Sequence, residues 1–158
     1  KEREPLGTAG PLTLLMEQLT EPFIVMNGDI LSLVDFGSLL RFALARQAVL
    51  TITVKKEITP FAFGNIFFDG DFVTDIQEKP DIIMYILAGI YVMTPAIFEH
   101  IPKKVYFGMD TLIKTLLQRR VPIAKYELRE YWLDIGRLND YEQAQDVYRE
   151  HFKQDSAS

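Results

Sequence analysis

The stretch Phe23-Ile24-Val25-Met26-Asn27-Gly28-Asp29 decides the fold. Four consecutive apolar residues without alternation are what a strand covered on both faces requires, and the run stops abruptly at three turn-favouring residues. It therefore reads as a central strand. Downstream, Phe36, Leu39, Leu40 and Ala43 fall on one helical face behind Asp35, a residue type that caps helix N-termini, and Leu50-Thr51-Ile52-Thr53-Val54 returns to strand composition. Strand, helix and strand in that order suggest a βαβ unit. Upstream, Leu12, Leu15, Met16 and Leu19 keep helical spacing, and Gly10 and Pro11 suit a first turn, so a short helix follows the loop Leu6-Gly7-Thr8-Ala9-Gly10.

Farther along, Asp69-Gly70 sits between Ile66-Phe67-Phe68 and Phe72-Val73, a hairpin signal because Gly tolerates the positive φ of a tight turn. Ile86 to Met93 provides another buried strand. Met109, Leu112, Ile113, Leu116 and Leu117 form an amphipathic stripe, and Val121 to Tyr126 has the look of an outer strand. Asn139 and Glu142 have capping-box spacing ahead of Tyr141, Ala144 and Tyr148, so a helix is expected to close the domain, with Gln154 to Ser158 as a tail.

The chain of 158 residues is 48% apolar and 25% charged, enough for one domain with its own core. With 17 Lys and Arg against 22 Asp and Glu, the net charge is -5, and no run of like charge tracks a nucleic-acid backbone, which disfavours a nucleic-acid partner. The absence of Cys excludes disulfides and thiolate metal sites and fits a cytoplasmic protein. Lys1-Glu2-Arg3-Glu4-Pro5 is the reverse of a signal peptide, and no apolar run reaches the roughly 18 residues of a membrane span, so no membrane partner is expected.

Three polar clusters interrupt the apolar pattern where strands should end: Asn27-Gly28-Asp29, Gln77-Glu78-Lys79-Pro80 and Trp132-Leu133-Asp134-Ile135-Gly136. Ligands of open α/β sheets bind beyond the carboxyl ends of strands, so the three are expected to meet at one crevice. Asp29 and Asp134 would then share a hard divalent cation. Mg²⁺ takes one or two protein carboxylates and completes its shell with waters and phosphate oxygens, so a pair without His or Cys suits it better than Zn²⁺. The structural alternatives are that Asp29 caps a turn, that Asp134 makes a hydrogen bond beside Gly136, and that Glu78 and Lys79 form a solvated pair. The Gly7-to-Gly10 loop offers backbone N–H groups to a nucleobase or phosphate, or is a plain helix entry. His100 and His151 have no partner at ligand spacing and read as surface residues.

Taken in order, Glu4-Pro5-Leu6-Gly7-Thr8-Ala9-Gly10-Pro11-Leu12, Val25-Met26-Asn27-Gly28-Asp29, Phe63-Gly64, Glu78-Lys79-Pro80, Ala88-Gly89-Ile90-Tyr91-Val92 and Tyr131-Trp132-Leu133-Asp134-Ile135-Gly136 before Asp140-Tyr141 resemble the sugar-1-phosphate nucleotidyltransferase family, in particular its mannose-1-phosphate guanylyltransferases. The resemblance implies a Rossmann-like α/β domain with a mixed, mainly parallel central sheet. It also implies transfer from an NTP, with GTP favoured, to a sugar 1-phosphate, giving NDP-sugar and pyrophosphate. By the same resemblance, Asp29 and Asp134 hold Mg²⁺ and Lys79 contacts the sugar phosphate. Glu78, Gly64 and Gly89 line the sugar, and Leu6, Gly7, Thr8 and Ala9 face the base.

Departures from the family pattern carry their own expectations. The family's Gly-rich loop with its Arg and Lys does not occur in these residues, nor does its first strand, so residues 1–153 are expected to be part of a catalytic domain, weakly active or inactive alone. The sheet edge thereby exposed invites homo-oligomerisation. Leu87 stands where many members have an Asn, Phe63 where a Tyr is common, and Gly108 and Asp110 alter a helix start. Two other functions stay open: a non-catalytic sugar-phosphate or nucleotide-binding subunit, and a metal-dependent glycosyltransferase, whose Asp-x-Asp form Asp69-Gly70-Asp71 shares.

Overall fold

Ala88 to Met93 is the longest buried run among the described residues, and it forms the inner half of strand β6 (Asp81–Met93). Its side chains alternate between two cores. Tyr91 and Met93 join Leu50, Ile97, Leu112 and Leu116 on one face of the sheet, while Ala88, Ile90 and Val92 join Leu39, Ala43 and Leu128 on the other. The fully buried Leu39, Leu112 and Leu116 each carry enough packing that truncation to Ala would cost about 2–5 kcal/mol.

The computed structural model describes residues 4–136. The expected closing helix with its Asn139–Glu142 cap, the 154–158 tail and His151 lie outside them. Around β6 stand β1 (Phe23–Met26), β3 (Leu50–Pro60) and β7 (Ile123–Glu127), giving a four-stranded sheet in the order β1-β6-β3-β7. Helix α1 (Phe36–Arg46) contributes Leu39 and Ala43 to one core, and α2 (Met109–Gln118) contributes Leu112 and Leu116 to the other. This is the layered α/β fold the sequence suggests. No described helix is long and apolar enough to cross a membrane.

The sheet is not mainly parallel. Both β1 and β3 pair antiparallel with β6, and only β3 with β7 is parallel. The reason is the connection: the chain returns from β3 to β6 through a hairpin, β4 (Asn65–Asp69) and β5 (Phe72–Gln77), and without a crossover helix the returning strand is reversed. The strand–helix–strand unit survives as two strands of equal direction, β1 and β3, with β6 inserted between them.

A second difference concerns β1, which lies at an edge among the described residues and is only half-buried. Apolar composition reports that both faces meet other atoms, not that both edges are paired. The hairpin forms where Asp69-Gly70 indicates, with Gly70 at φ +57° in open space. Asp35 caps α1, accepting from the Ser38 N–H at 3.0 Å. The helix expected from Leu12 is instead a 3-10 turn, Gly10–Leu15, in which the Thr13 hydroxyl donates to the Gly10 carbonyl at 2.8 Å.

Candidate functional site

The site is built around an irregularity in β6. Ile52 pairs with Tyr91 and Val54 with Leu87, so two steps of β3 face four steps of β6. The extra residues form a bulge, Ala88 to Ile90, with Gly89 at φ +70°. A side chain at Gly89 would meet Asn27 Nδ2 at 3.0 Å and Ile30 Cγ1 at 3.1 Å, so only glycine lets β6 approach the end of β1 this closely.

Successive carbonyls of the bulge point to three different elements. Gly89 O accepts the Asn27 N–H at 2.9 Å, Ile90 O accepts the Thr53 hydroxyl at 2.8 Å, and Ala88 O accepts the Trp132 indole N–H at 2.7 Å. The first fixes the exit of β1 and hence the turn carrying Asp29. The last fixes a strand that the sequence reading does not separate from its cluster, β8 (Trp132–Asp134), which pairs with β2 (Ile30–Ser32).

That short ladder brings the two acidic residues together. Asp134 stands opposite Ile30, and the Ile135 N–H donates to the Asp29 carbonyl at 2.8 Å. Residues one step off a cross-strand pair have Cα atoms about 6 Å apart. Asp29 lies in the turn before β2, so the strict alternation of side chains along a strand does not govern it. Both carboxylates are exposed, and among the described residues neither accepts a hydrogen bond or joins an ion pair. The structural alternatives for Asp29 and Asp134 thus find no described partner. Gly136 lies close enough that a Cβ on it would stand 3.2 Å from Asp134 Oδ1.

Two exposed carboxylates on neighbouring residues are hard oxygen donors in the number that Mg²⁺ takes from protein when water and ligand oxygens complete its shell.

The remaining site residues fall into two further groups. Gly64 and Glu78 are adjacent, since a Cβ on Gly64 would lie 3.2 Å from Glu78 Oε2. Lys79, at φ +46°, follows in the same exposed turn, and Pro80 O accepts the Phe61 N–H at 3.0 Å. This turn sits at the far end of the ribbon made by Lys55–Pro60 and Asp81–Ile86. About 20 Å of extended strand, Asp81 to Leu87, lies along the chain between this turn and the bulge at which the Asn27 and Trp132 clusters meet.

The Leu6-to-Gly10 loop is stitched to the segment before α2. Phe107 O accepts the N–H groups of Ala9 and Gly10 at 2.9 and 3.0 Å, the Phe107 N–H donates to Leu6 O at 2.9 Å, and Thr8 Oγ1 accepts the Met109 N–H at 2.8 Å. Ala9 is fully buried. The expectation that this loop offers its N–H groups to a ligand is therefore corrected for Ala9 and Gly10, whose donors are spent within the protein, and the Thr8 hydroxyl oxygen takes the first N–H of α2. Gly7, at φ +78°, passes so close to the Phe107 carbonyl that a Cβ would lie 2.8 Å from its oxygen. Gly89, Asp29 and Asp134 are site residues in the sequence, whereas Asn27 and Trp132 figure there only as members of their clusters and not as the groups that hold those segments to β6. The one available signal is that Trp132 is the chain's single tryptophan, two residues before Asp134.

An α/β domain with an acidic pair beside the exit of a sheet strand belongs to a recognisable class of protein. The chain is a member of the Nucleotidyl transferase family, which it matches over residues 1–151. Within that family its relatives are of the sugar-1-phosphate kind. It is 32% identical over 160 aligned residues to the mannose-1-phosphate guanylyltransferase catalytic subunit beta of Danio rerio, covering 97% of this chain and 44% of the relative. It is 31% identical to the mannose-1-phosphate guanyltransferase beta-B of Xenopus laevis, covering 89% of this chain and 41% of the relative. Among solved structures, HddC from Yersinia pseudotuberculosis superposes with a TM-score of 0.67 at 26% identity, over 93% of this chain and 64% of that one, and that protein has also been solved complexed with GMP-PN. The chain thus spans less than half the length of the curated relatives it matches.

Proposed function

We propose that the protein transfers a nucleotidyl group from an NTP, GTP in the first instance, to a sugar 1-phosphate, with mannose 1-phosphate the first substrate to try, in the cytoplasm. The observation that carries this reading is the β2–β8 ladder, which sets Asp29 beside Asp134 in a chain whose relatives are named as guanylyltransferases. In the reaction a phosphate oxygen of the sugar phosphate attacks the α-phosphorus of the nucleotide in line, and pyrophosphate leaves. Positioning and charge neutralisation carry such a transfer, with no enzyme nucleophile required.

Asp29 and Asp134 would hold Mg²⁺, which when bound supplies positive charge against the phosphate oxygens. Gly89 shapes the wall beside them. Lys79 would contact the sugar phosphate, with Glu78 and the Gly64 backbone taking sugar hydroxyls. The Leu6-to-Thr8 part of the loop would face the base through groups other than the Ala9 and Gly10 donors. The 158 residues by themselves contain no Gly-rich loop with an Arg and a Lys for the triphosphate, so their own turnover is expected to be low.

The test is pyrophosphate release by the full-length protein across a panel of NTPs and sugar 1-phosphates. Release that depends on both substrates and on Mg²⁺ is expected. Binding of either substrate without release would favour a non-catalytic subunit, and transfer from a preformed nucleotide sugar would favour a glycosyltransferase.

A further inference from the structure

Three hydrogen bonds close a ring through the candidate site. Gly89 O holds the Asn27 N–H, the turn then leads to Asp29, and Asp29 O holds the Ile135 N–H. The chain runs back from Ile135 through Asp134 to Trp132, whose indole N–H returns to Ala88 O, next to Gly89. Two links are backbone to backbone. The third depends on one side chain, Trp132, which packs against the buried cluster of Ile30, Ala88 and Ile90. Ala88 is fully buried, so water does not replace the indole donor if it is removed.

We infer that Trp132 is a positioning residue: its indole N–H, bonded to Ala88 O, locks the β6 bulge, the Asp29 turn and the Asp134 strand into one frame and so steadies the spacing that the β2–β8 ladder gives the two carboxylates. The inference rests on the reading of Asp29 and Asp134 as a shared cation site, and it assigns the steadiness of that spacing to a hydrogen bond, Trp132 N–H to Ala88 O, in which neither carboxylate takes part. Linked hydrogen bonds support one another, and partners bonded directly to a metal's ligands change its affinity by about tenfold or more, the scale against which a frame that holds two ligands in place is read.

The experiment replaces Trp132 in the full-length protein with β-(3-benzothienyl)alanine, which keeps the bicyclic shape and lacks the N–H. Two quantities are read: amide hydrogen exchange at Asn27 and Ile135, with Leu112 and Leu116 in α2 as references, and Mn²⁺ binding by electron paramagnetic resonance. Exchange at Asn27 and Ile135 is expected to accelerate at least tenfold while the α2 amides stay as they were, and Mn²⁺ affinity is expected to fall about tenfold. Unchanged exchange at Asn27 and Ile135 overturns the inference. So does equal acceleration everywhere, which is plain destabilisation, and so does faster local exchange with unchanged Mn²⁺ affinity. Failure of the functional reading is separate: Mn²⁺ binding that responds to Trp132 in a protein releasing no pyrophosphate sinks the transferase proposal and leaves the ring standing.

Discussion

At the residue scale, Asp35 shows how local chemistry is read directly from sequence. Its position ahead of the Phe36-Leu39-Leu40-Ala43 stripe suggests a cap, and its carboxylate does accept from the Ser38 hydroxyl and N–H. Hydrogen bonds from the Ser38 side chain, then from its backbone, hold the Asp35 carboxyl below the usual carboxylate range. A lowered folded-state value favours the ionised form in the native protein. The stabilisation is therefore present above the ordinary Asp range and is lost as pH falls through the lowered value. Asp35→Ala should reduce Tm by about 3 °C at neutral pH, and the difference from wild type should shrink on acidification. Thermal unfolding at pH 7 and pH 3 checks this. A cap is legible because it involves residues three apart. The Trp132–Ala88 bond joins residues 44 apart, and nothing in either neighbourhood announces it.

At the element scale the same contrast separates hairpin from bulge. Asp69-Gly70 reveals its turn because the requirement for positive φ is met within the dipeptide itself. Gly89 takes its positive φ in the β6 bulge, and its missing side chain leaves room for Asn27 and Ile30, about 60 residues earlier in the chain. Substitution should expose the difference. Gly70→Ala, in open space, is expected to cost about 1 kcal/mol from backbone conformation alone. Gly89→Ala adds a clash with the Asn27 side chain and should cost at least about 2 kcal/mol, with urea unfolding as the measurement. Equal costs would remove the close-approach argument. Strands β2 and β8, three residues each, carry no usable pattern of their own, which is why the sequence shows their acidic residues but not the ladder that joins them. The direction of β6 was likewise hidden, since strand composition is the same for either polarity and only the hairpin return decides it.

On the scale of the whole molecule, the α/β layering and both helical faces were legible, because the apolar periodicity of α1 and α2 and the buried run of β6 are properties of contiguous sequence. What the pattern leaves open is how edges are covered. The edge of β1 is open among the described residues, and the hairpin carries Phe68 and Phe72 at 72% and 79% exposure. Unpaired apolar edges template association, so the 158-residue chain is expected to self-associate in sedimentation velocity at tens of micromolar. A single monomeric boundary throughout that range would contradict this. Charge is distributed in keeping with the proposed chemistry: the chain is net negative, so affinity for polyanionic substrates must come from a bound cation and a few placed side chains. The most direct measurement is Mn²⁺ binding to the full-length protein, to Asp29→Asn and to Asp134→Asn, followed by electron paramagnetic resonance in the presence of NTP. Joint coordination predicts that each single substitution weakens binding by tenfold or more. If either variant binds Mn²⁺ as tightly as the wild type, the two carboxylates do not share a cation.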